Sequence, residues 1–247
     1  MKKLILIFTS VVILTPSAKA QQSTSGDDFK TKNSNTKTEK QKKEESDEKA
    51  FKEGSIAVTV GYGFPDIYKS YVKGIVNNFQ GNGAVYSVKG IGPAFLKAEY
   101  GLSKLIGLGA VIAYHNISVS ETYTYQDSYY NSVSGTWEYG TYEDVEKLTY
   151  TSLSAAVRIN FHFGTGKRLD PYAGVAAGYS QKQYKFTYST NNPNGLSYVP
   201  QTYEGVFPVY FAMSAGLRYY FTPNIGIYGE VGFDKWSVLQ GGLAITF

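Results

Sequence analysis

The stretch Leu239-Gln240-Gly241-Gly242-Leu243-Ala244-Ile245-Thr246-Phe247 alternates between two kinds of side chain. Every second residue counted back from Phe247 is apolar or glycine, and the residues between them are small or polar. Side chains of a β-strand point alternately to its two faces, so this period predicts a strand with one apolar and one polar face. Such a strand suits a membrane barrel, whose outer face meets lipid and whose inner face meets water or packed polar groups.

The same alternation recurs along most of the chain. Residues 55–247 are interrupted by Gly, Tyr, Thr or Ser every few positions, so no transmembrane helix is expected and a membrane would be crossed by strands that close into a barrel. We predict an all-β fold, an eight-stranded antiparallel up-and-down transmembrane β-barrel. Its strands are expected at residues 55–63, 92–102, 106–125, 139–163, 170–187, 207–221, 225–233 and 237–247.

The lengths of the connections predict the orientation of this barrel. The connections after the second, fourth and sixth strands are short, whereas those after the first, third and fifth are long. Membrane barrels place short turns in the periplasm and long loops outside the cell. With an even number of strands, both chain termini are then expected in the periplasm.

The first 53 residues divide into two segments that precede the barrel. Residues 1–20 combine two early lysines, an apolar run and an Ala-Lys-Ala site, which is typical of a signal peptide cleaved after Ala20. Residues 21–53 contain eight lysines, eight acidic residues and only two aromatic residues, so we predict a disordered, charged periplasmic spacer. Residues 54–247 form the predicted outer-membrane barrel.

Composition supports an exported membrane protein. The chain has no cysteine, which excludes disulfides and thiol chemistry. All 23 tyrosines lie between Tyr62 and Tyr228, in the predicted barrel, and tyrosine collects where an apolar wall meets lipid headgroups. Removal of the three lysines in residues 1–20 lowers the formal net charge from +4 to +1, and no basic patch points to nucleic acid.

Four segments of the predicted barrel resemble the small outer-membrane barrels typified by the transmembrane domain of OmpA and by OmpX. They are Ile56–Gly63 (IAVTVGYG), Ala98–Gly101 (AEYG), Pro171–Gly178 (PYAGVAAG) and Ala244–Phe247 (AITF). The resemblance covers residues 54–247 and implies an outer-membrane location in a Gram-negative bacterium. It also implies that Phe247 is part of the signal read by the outer-membrane assembly machinery. Unlike in OmpA, no peptidoglycan-binding domain is expected after the barrel.

Charged residues gather on the predicted inner face of the strands. An eight-stranded barrel has room for side chains and little else, and an unpaired charge there is costly. We therefore predict a salt-bridge network in the lumen. A network that packs the lumen is favoured over a gated ion path. Its members are Lys97, Glu99, Arg158, Arg218 and Glu230.

The first long connection has helical periodicity. Ile67, Tyr71, Ile75 and Phe79 recur every four residues, and Pro65-Asp66 provides a start. The sequence predicts a short amphipathic helix that lies over the rim of the barrel or in the headgroup layer. Packing on the barrel is favoured over ligand binding.

The second long connection is acidic and rich in aromatic residues. Six acidic residues and one lysine lie between Glu121 and Lys147, and the third and fourth strands are expected to continue beyond the membrane as a hairpin with its tip near 131–135. Exposed tyrosine and tryptophan favour a binding surface, whereas cross-strand aromatic pairs would stabilise the hairpin without any partner. The acidic groups could also hold divalent cations near lipopolysaccharide. The candidate contact residues are Tyr123, Tyr125, Tyr129, Tyr130, Trp137, Tyr139 and Tyr142.

No catalytic site, metal site or cofactor is predicted. His162 is expected to point into the lumen near a short turn, and a serine that follows His115 on one strand does not define a nucleophile–base pair.

We expect a monomeric, non-enzymatic protein with a structural or adhesive role, whose partners are outer-membrane lipid, lipopolysaccharide, the assembly machinery and a host or cell-surface ligand. The alternative is a small-solute or hydrophobic-molecule conduit of the OmpW type, which would need an apolar gap or a lateral opening.

Overall fold

The computed structural model describes residues 50–79, 83–164, 166–196 and 198–247. The predicted signal peptide and residues 21–49 of the predicted spacer lie outside these residues. The described chain forms a helix α1 (Ile67–Asn77) and the strands β1 (Ile56–Phe64), β2 (Ala84–Gly101), β3 (Ile106–Asn131), β4 (Thr136–His162), β5 (Leu169–Thr190), β6 (Gln201–Glu204), β7 (Val209–Tyr220), β8 (Ile225–Asp234) and β9 (Ser237–Thr246).

Eight of these strands form a closed antiparallel ring. Neighbours in sequence pair from β1 to β5, after which β5 pairs with β7, β7 with β8 and β8 with β9. Strand β9 then pairs with β1, from Ala57↔Thr246 to Phe64↔Leu239, and this seam closes the ring. The prediction of an eight-stranded antiparallel up-and-down transmembrane β-barrel is confirmed.

Side chains of the ring alternate between the outer wall and the lumen. In β7 the outward side chains of Phe211 and Met213 are exposed, whereas Tyr210 and Ala212 between them are buried. An exposed apolar wall is unfavourable in water and favourable against acyl chains. The same alternation therefore makes a lipid-facing surface and a polar lumen from one strand.

The two ends of the barrel differ. We call one the turn end, because the connections there, at 102–105, 163–168 and 221–224, are short. We call the other the hairpin end, because β3 and β4 run far past the ring there and meet in a tight turn at 132–135. A strand needs roughly 9–11 residues to cross a bilayer. Because β3 has 26 residues and β4 has 27, more than half of each lies outside the wall.

The extensions form what we call the protruding sheet. It consists of residues 84–90 of β2, 117–131 of β3, 136–150 of β4, 183–190 of β5 and the short strand β6. Its inner face continues the lumen side of the barrel and begins with the buried side chains of Ile117 and Val119. Its outer face continues the lipid side.

Two parts of this sheet differ from the sequence prediction. Strand β2 begins at Ala84 rather than at Gly92, because its pairing with β3 shifts register between Ile91 and Ala94 and then continues. Strand β6 pairs only four residues with β5 and was not predicted. The predicted tip of the β3–β4 hairpin, near 131–135, agrees with the observed turn.

Helix α1 lies at the hairpin end, in the predicted connection between β1 and β2. The Asp66 side chain caps its N-terminus by accepting a hydrogen bond from the backbone N–H of Lys69 at 2.9 Å. Tyr68, Val72 and Val76 are buried, and the helix contacts β2. Within the described residues, no helix is long and apolar enough to span a bilayer.

Residues 50–55 lie against the turn end of the barrel. The Ala50 backbone N–H donates to the Gly166 carbonyl oxygen at 3.0 Å, and Phe51 is only 5% exposed. A Cβ at Gly101 would lie 2.3 Å from the Lys52 carbonyl oxygen, so this close approach requires glycine. The predicted spacer extends to residue 53, whereas the structure packs Phe51 against the barrel.

Candidate functional site

The lumen near the turn end holds four ionisable side chains in mutual contact, which we call the lower network: Glu99, His162, Asp170 and Arg218. The Arg218 guanidinium donates to Asp170 Oδ2 at 3.2 Å and also to Glu99. His162 lies between the same two acids, with Nδ1 2.7 Å from Asp170 Oδ1 and Nε2 2.7 Å from Glu99 Oε1. Since both ring nitrogens face carboxylate oxygens, the geometry fits a protonated imidazole and two opposite pairs of charges.

Phe51 covers the lower network from the turn end. Its ring stacks on the His162 ring with centroids 3.4 Å apart and planes 4° apart. Glycine at position 107 leaves room for the network from the side, because a Cβ there would lie 1.9 Å from Glu99 Oε1. The lumen is therefore filled at this level.

A second group, the middle network, consists of Lys97, Arg158 and Glu230. Lys97 Nζ donates to Glu230 Oε2 at 2.8 Å, and Arg158 Nη2 lies 3.0 Å from Glu230 Oε1. The remaining acceptor capacity of Glu230 is used by the hydroxyls of Tyr172 and Ser214, at 2.8 and 2.9 Å. Lys97 Nζ also lies 3.7 Å from Asp234 Oδ2. The positive charges of Lys97 and Arg158 therefore face two carboxylates, those of Glu230 and Asp234.

A third group lies between the middle network and the hairpin end, and it contains one lysine and three serines. Lys235 Nζ donates to Ser152 Oγ at 2.8 Å and to Ser154 Oγ at 2.5 Å, and both serines bond to Ser180. Lys235 occupies the two-residue turn between β8 and β9 with a positive φ of 47°. Turns of this kind favour glycine and asparagine, so the hydrogen bonds of the side chain hold an unfavourable backbone conformation in place.

The hairpin end of the lumen is covered by α1 and by the β8–β9 turn. His115 Nε2 lies 2.9 Å from Asp66 Oδ2, directly at the N-terminus of the helix. The Tyr68 ring lies 5.6 Å from the Trp236 ring and 5.1 Å from the Tyr150 ring. Burial raises the pKa of Asp66, but the hydrogen bonds from His115 and from the Lys69 backbone outweigh it and hold the pKa below 3.8.

The structure places all five predicted lumen residues inside the barrel, divides them between two networks and adds partners that were not predicted. Lys97, Arg158 and Glu230 are in the middle network, and Glu99 and Arg218 are in the lower one. Asp170 and Asp234, at the ends of their strands, are additional acids. The sequence contained a signal for both, because each lies an even number of residues from inward side chains of the same strand and therefore points to the same face.

His115 is separated from the serines that follow it. Its side chain is buried in the lumen, whereas Ser118, three residues further on, lies on the opposite face of β3. The Ser118 hydroxyl bonds to Thr149 at 3.1 Å. The described residues also contain no group of three or more His, Cys, Asp or Glu side chains arranged to hold a metal ion.

The inner face of the protruding sheet carries acidic residues that are bound by tyrosine hydroxyls. Tyr86 donates to Glu121 at 2.8 Å, Tyr125 to Asp144 at 3.3 Å and Tyr129 to Glu138 at 2.6 Å. Asp127 accepts a hydrogen bond from the Asn192 side chain at 3.2 Å. These donors are neutral, so they satisfy oxygen atoms without removing the negative charge.

Local interactions favour the ordinary charge states of Glu138 and Tyr86. The bonds from Tyr129 and Asn131 lower the pKa of Glu138. Burial, followed by the bond to Glu121, raises the pKa of Tyr86 to about 12. At neutral pH Glu138 is therefore ionised and Tyr86 is a neutral phenol.

The seven predicted aromatic contact residues divide between the two faces of the sheet. Trp137 and Tyr139 are exposed on the outer face, Tyr139 at 87%, and the Tyr130 ring packs edge-on against Trp137 at 5.7 Å. Tyr142 is only 7% exposed, because the hairpin itself covers it. The inner-face members are Tyr123, Tyr125, Tyr129 and Tyr142.

The sequence matches no protein-family model and no curated protein sequence. Among solved structures it is similar to Ail, the attachment invasion locus protein of Yersinia pestis, with 18% identity over 79% of this chain and 99% of that chain. The TM-score is 0.37, or 0.36 for the complex of Ail with the heparin analogue sucrose octasulfate.

The N-terminal β-barrel domain of Pseudomonas aeruginosa OprF has 19% identity over 80% of this chain and 98% of that chain, with a TM-score of 0.30. These TM-scores are too low for the likenesses to carry an inference about this chain. Its barrel fold rests on its own strand pairing.

Proposed function

We propose that this protein is a non-enzymatic outer-membrane barrel of a Gram-negative bacterium that displays the protruding sheet outside the cell for a structural or adhesive contact. The observation that carries the proposal is the length of β3 and β4, which extend far beyond what a bilayer requires. A sheet of this size with exposed aromatic side chains at its tip is costly to expose unless it meets a partner. Exposed tyrosine and tryptophan also supply contact area at low entropic cost.

The orientation follows from the two ends of the barrel. Short connections belong in the periplasm and long ones outside, so the turn end is periplasmic and the protruding sheet is extracellular. Both termini then lie in the periplasm, and the barrel acts as a monomer surrounded by outer-membrane lipid and lipopolysaccharide. Phe247 serves the assembly machinery as a recognition element.

The contacts inside the lumen favour display over transport. Paired charges fill its lower and middle levels, Phe51 covers the turn end, and α1 covers the hairpin end. A conduit for hydrophobic molecules would need an apolar gap at one of these levels. We therefore expect no resolved single-channel openings when the purified barrel is inserted in a planar bilayer. Regular openings would contradict a sealed lumen.

The adhesive role is tested by shortening the hairpin. Joining Tyr123 to Asp144 through an Asn-Gly turn removes the outer rungs of β3 and β4 and keeps the barrel intact. Cells that display the shortened protein should lose binding to whichever host matrix protein, glycan or lipopolysaccharide the intact protein binds. Surface labelling and heat-modifiable migration on gels show that the variant is folded and displayed. Equal binding by both proteins would contradict the proposal.

The non-enzymatic role has its own test. His115 is the one histidine at the hairpin end, so replacement by alanine should leave the lipid A composition of the cell unchanged. A change in lipid A that follows the variant would point to an enzyme instead.

A further inference from the structure

The two faces of the protruding sheet differ in charge. The inner face carries Glu121, Asp127, Glu138, Asp144 and Glu146, as the pairing of β3 with β4 requires. The three lysines of the protruding parts of β2 to β5 all lie on the outer face: Lys89, Lys147 and Lys185. The sheet is therefore polarised, with negative charge on the side that faces across the mouth of the barrel.

The carboxylates of the inner face are spread along the hairpin and do not converge. Glu121 and Asp144 occupy neighbouring inward positions, and Asp127 and Glu138 lie near the tip. Inward positions on a strand repeat every two residues, or about 6.7 Å, so the acidic track is roughly 25 Å long. A compact cation meets one or two of these groups, whereas an extended chain meets all of them.

Aromatic rings line the same track. Tyr123 is exposed, and the rings of Tyr123 and Tyr125 lie 6.0 Å apart with their planes nearly parallel. Tyr188 and Tyr198 form an edge-to-face pair beside them, at 5.1 Å. Faces of tyrosine rings attract ammonium and guanidinium groups, and carboxylates attract them more strongly.

We propose that the inner face of the protruding sheet binds a lysine- and arginine-rich segment of a partner protein. The partner lies along the track, with its cations at the carboxylates and its aliphatic stems on the tyrosine rings. This inference rests on the proposed extracellular display, because it names the chemistry of the partner that the displayed sheet meets.

The experiment compares two double variants of the full-length protein in lipid nanodiscs. The inner variant is Glu121→Gln with Asp144→Asn, and the outer variant is Glu143→Gln with Glu204→Gln. Both remove two charges from the same sheet, but Glu143 and Glu204 lie on the outer face. The probe is a fluorescent twelve-residue peptide of alternating lysine and serine, and the matching glutamate–serine peptide is the control.

Wild-type protein and the outer variant should bind the lysine peptide equally. The inner variant should bind it more weakly, by about two- to fivefold for each carboxylate removed. Binding should also weaken as NaCl rises from 50 to 500 mM, since exposed charge pairs are screened. Spermine should compete poorly, because it cannot span the track.

Equal loss in the two variants would overturn the proposal, since total charge rather than the inner face would then control binding. Equal binding by all three proteins would overturn it as well, and so would spermine matching the peptide in affinity. These results are independent of the shortened-hairpin test, which measures cell adhesion. Adhesion that is lost on shortening while the inner variant still binds the peptide normally would retain the display function and reject this partner.

Discussion

The lumen and the protruding sheet use the same kinds of side chain in opposite ways. In the lumen, each carboxylate of the two networks faces lysine, arginine or protonated histidine, as Glu230 faces Lys97 and Arg158. On the inner face of the sheet, the bonds to Glu121 and Glu138 come from neutral donors, which are tyrosine hydroxyls and, at Glu138, also the Asn131 amide. One set of charges is neutralised within the molecule, and the other is held in place while it stays negative.

Solvent access explains this difference. A carboxylate in a closed lumen has no water to stabilise it, so an opposite charge must be present. On an exposed strand, water already solvates the carboxylate, and a neutral donor is enough to fix its position. The lumen therefore contributes stability, whereas the sheet leaves its charge available to a partner.

The largest expected effect is in the lower network. Arg218→Met would leave Glu99 and Asp170 buried with only His162 as a cation, and removing one partner of a buried pair costs about 3–5 kcal/mol. Urea unfolding of the refolded barrel measures this loss. Arg168→Met, at an exposed position in a neighbouring turn, is the control and should change stability little. Similar midpoints for the two variants would contradict a lumen that depends on paired charges.

The second largest effect is expected at Phe51, and it tests whether the segment before β1 packs against the lumen of the barrel. Phe51→Ala removes a buried ring that stacks on His162, and the expected loss in the free energy of unfolding is roughly 3 kcal/mol. Phe79→Ala removes a partly exposed ring after α1 and provides the matched control. If the two alanine variants unfold at the same urea concentration, Phe51 does not belong to the core of the barrel.

A smaller effect is expected at α1, where lumen and sheet meet. Asp66→Asn keeps the helix cap but weakens the contact with His115, at a cost of about 1 kcal/mol. The folded pKa of Asp66 is depressed, so its stabilisation is complete above pH 3.8 and is lost as the pH falls through the folded value.

Trp236 reports on this contact because it stacks on Tyr68. In a Trp137→Phe background it is the only tryptophan, and its fluorescence should change in acid. The same background with Asp66→Asn should lack this component of the titration. Identical titrations would show that Asp66 does not hold the helix in place.

The smallest effect on stability is expected in the sheet. Tyr129→Phe removes a hydrogen bond at a solvated site and should leave the free energy of unfolding nearly unchanged. The pKa of Glu138, which that bond lowers, should rise toward its ordinary value. Side-chain NMR titration measures it, with Tyr130→Phe on the outer face as the control. A large loss of stability would remove the distinction between the two regions.

The sequence predicted the barrel wall because lipid and lumen impose opposite demands on alternate residues. Outside the membrane this alternation is no longer required, and the strand boundaries there were predicted less accurately. The first residues of β2 were missed because Gly90, Gly92 and Pro93 interrupt the pattern, although pairing with β3 continues on both sides of a register shift. Strand β6 has only four residues, too few to show an alternating pattern in the sequence.

The inward charges and a network among them were predicted from parity, but the individual pairs were not. Arg218 meets Glu99 although 119 positions separate them, because strand tilt and stagger decide which side chains share a level in the lumen. Phe51 was missed for another reason. It is a single aromatic residue in a charged, low-complexity stretch, and local composition does not reveal that a distant barrel end receives it.

The seam between β1 and β9 has a consequence for the order of folding. Every other pairing in the ring joins strands that follow one another along the chain, with only the short β6 between β5 and β7, so each can form locally. The seam instead joins the two ends of the barrel sequence, as Ala57↔Thr246 shows. Contacts of such high sequence separation form slowly. Closure is therefore expected late in folding, and until it occurs both β1 and β9 are free edges that another chain could pair with.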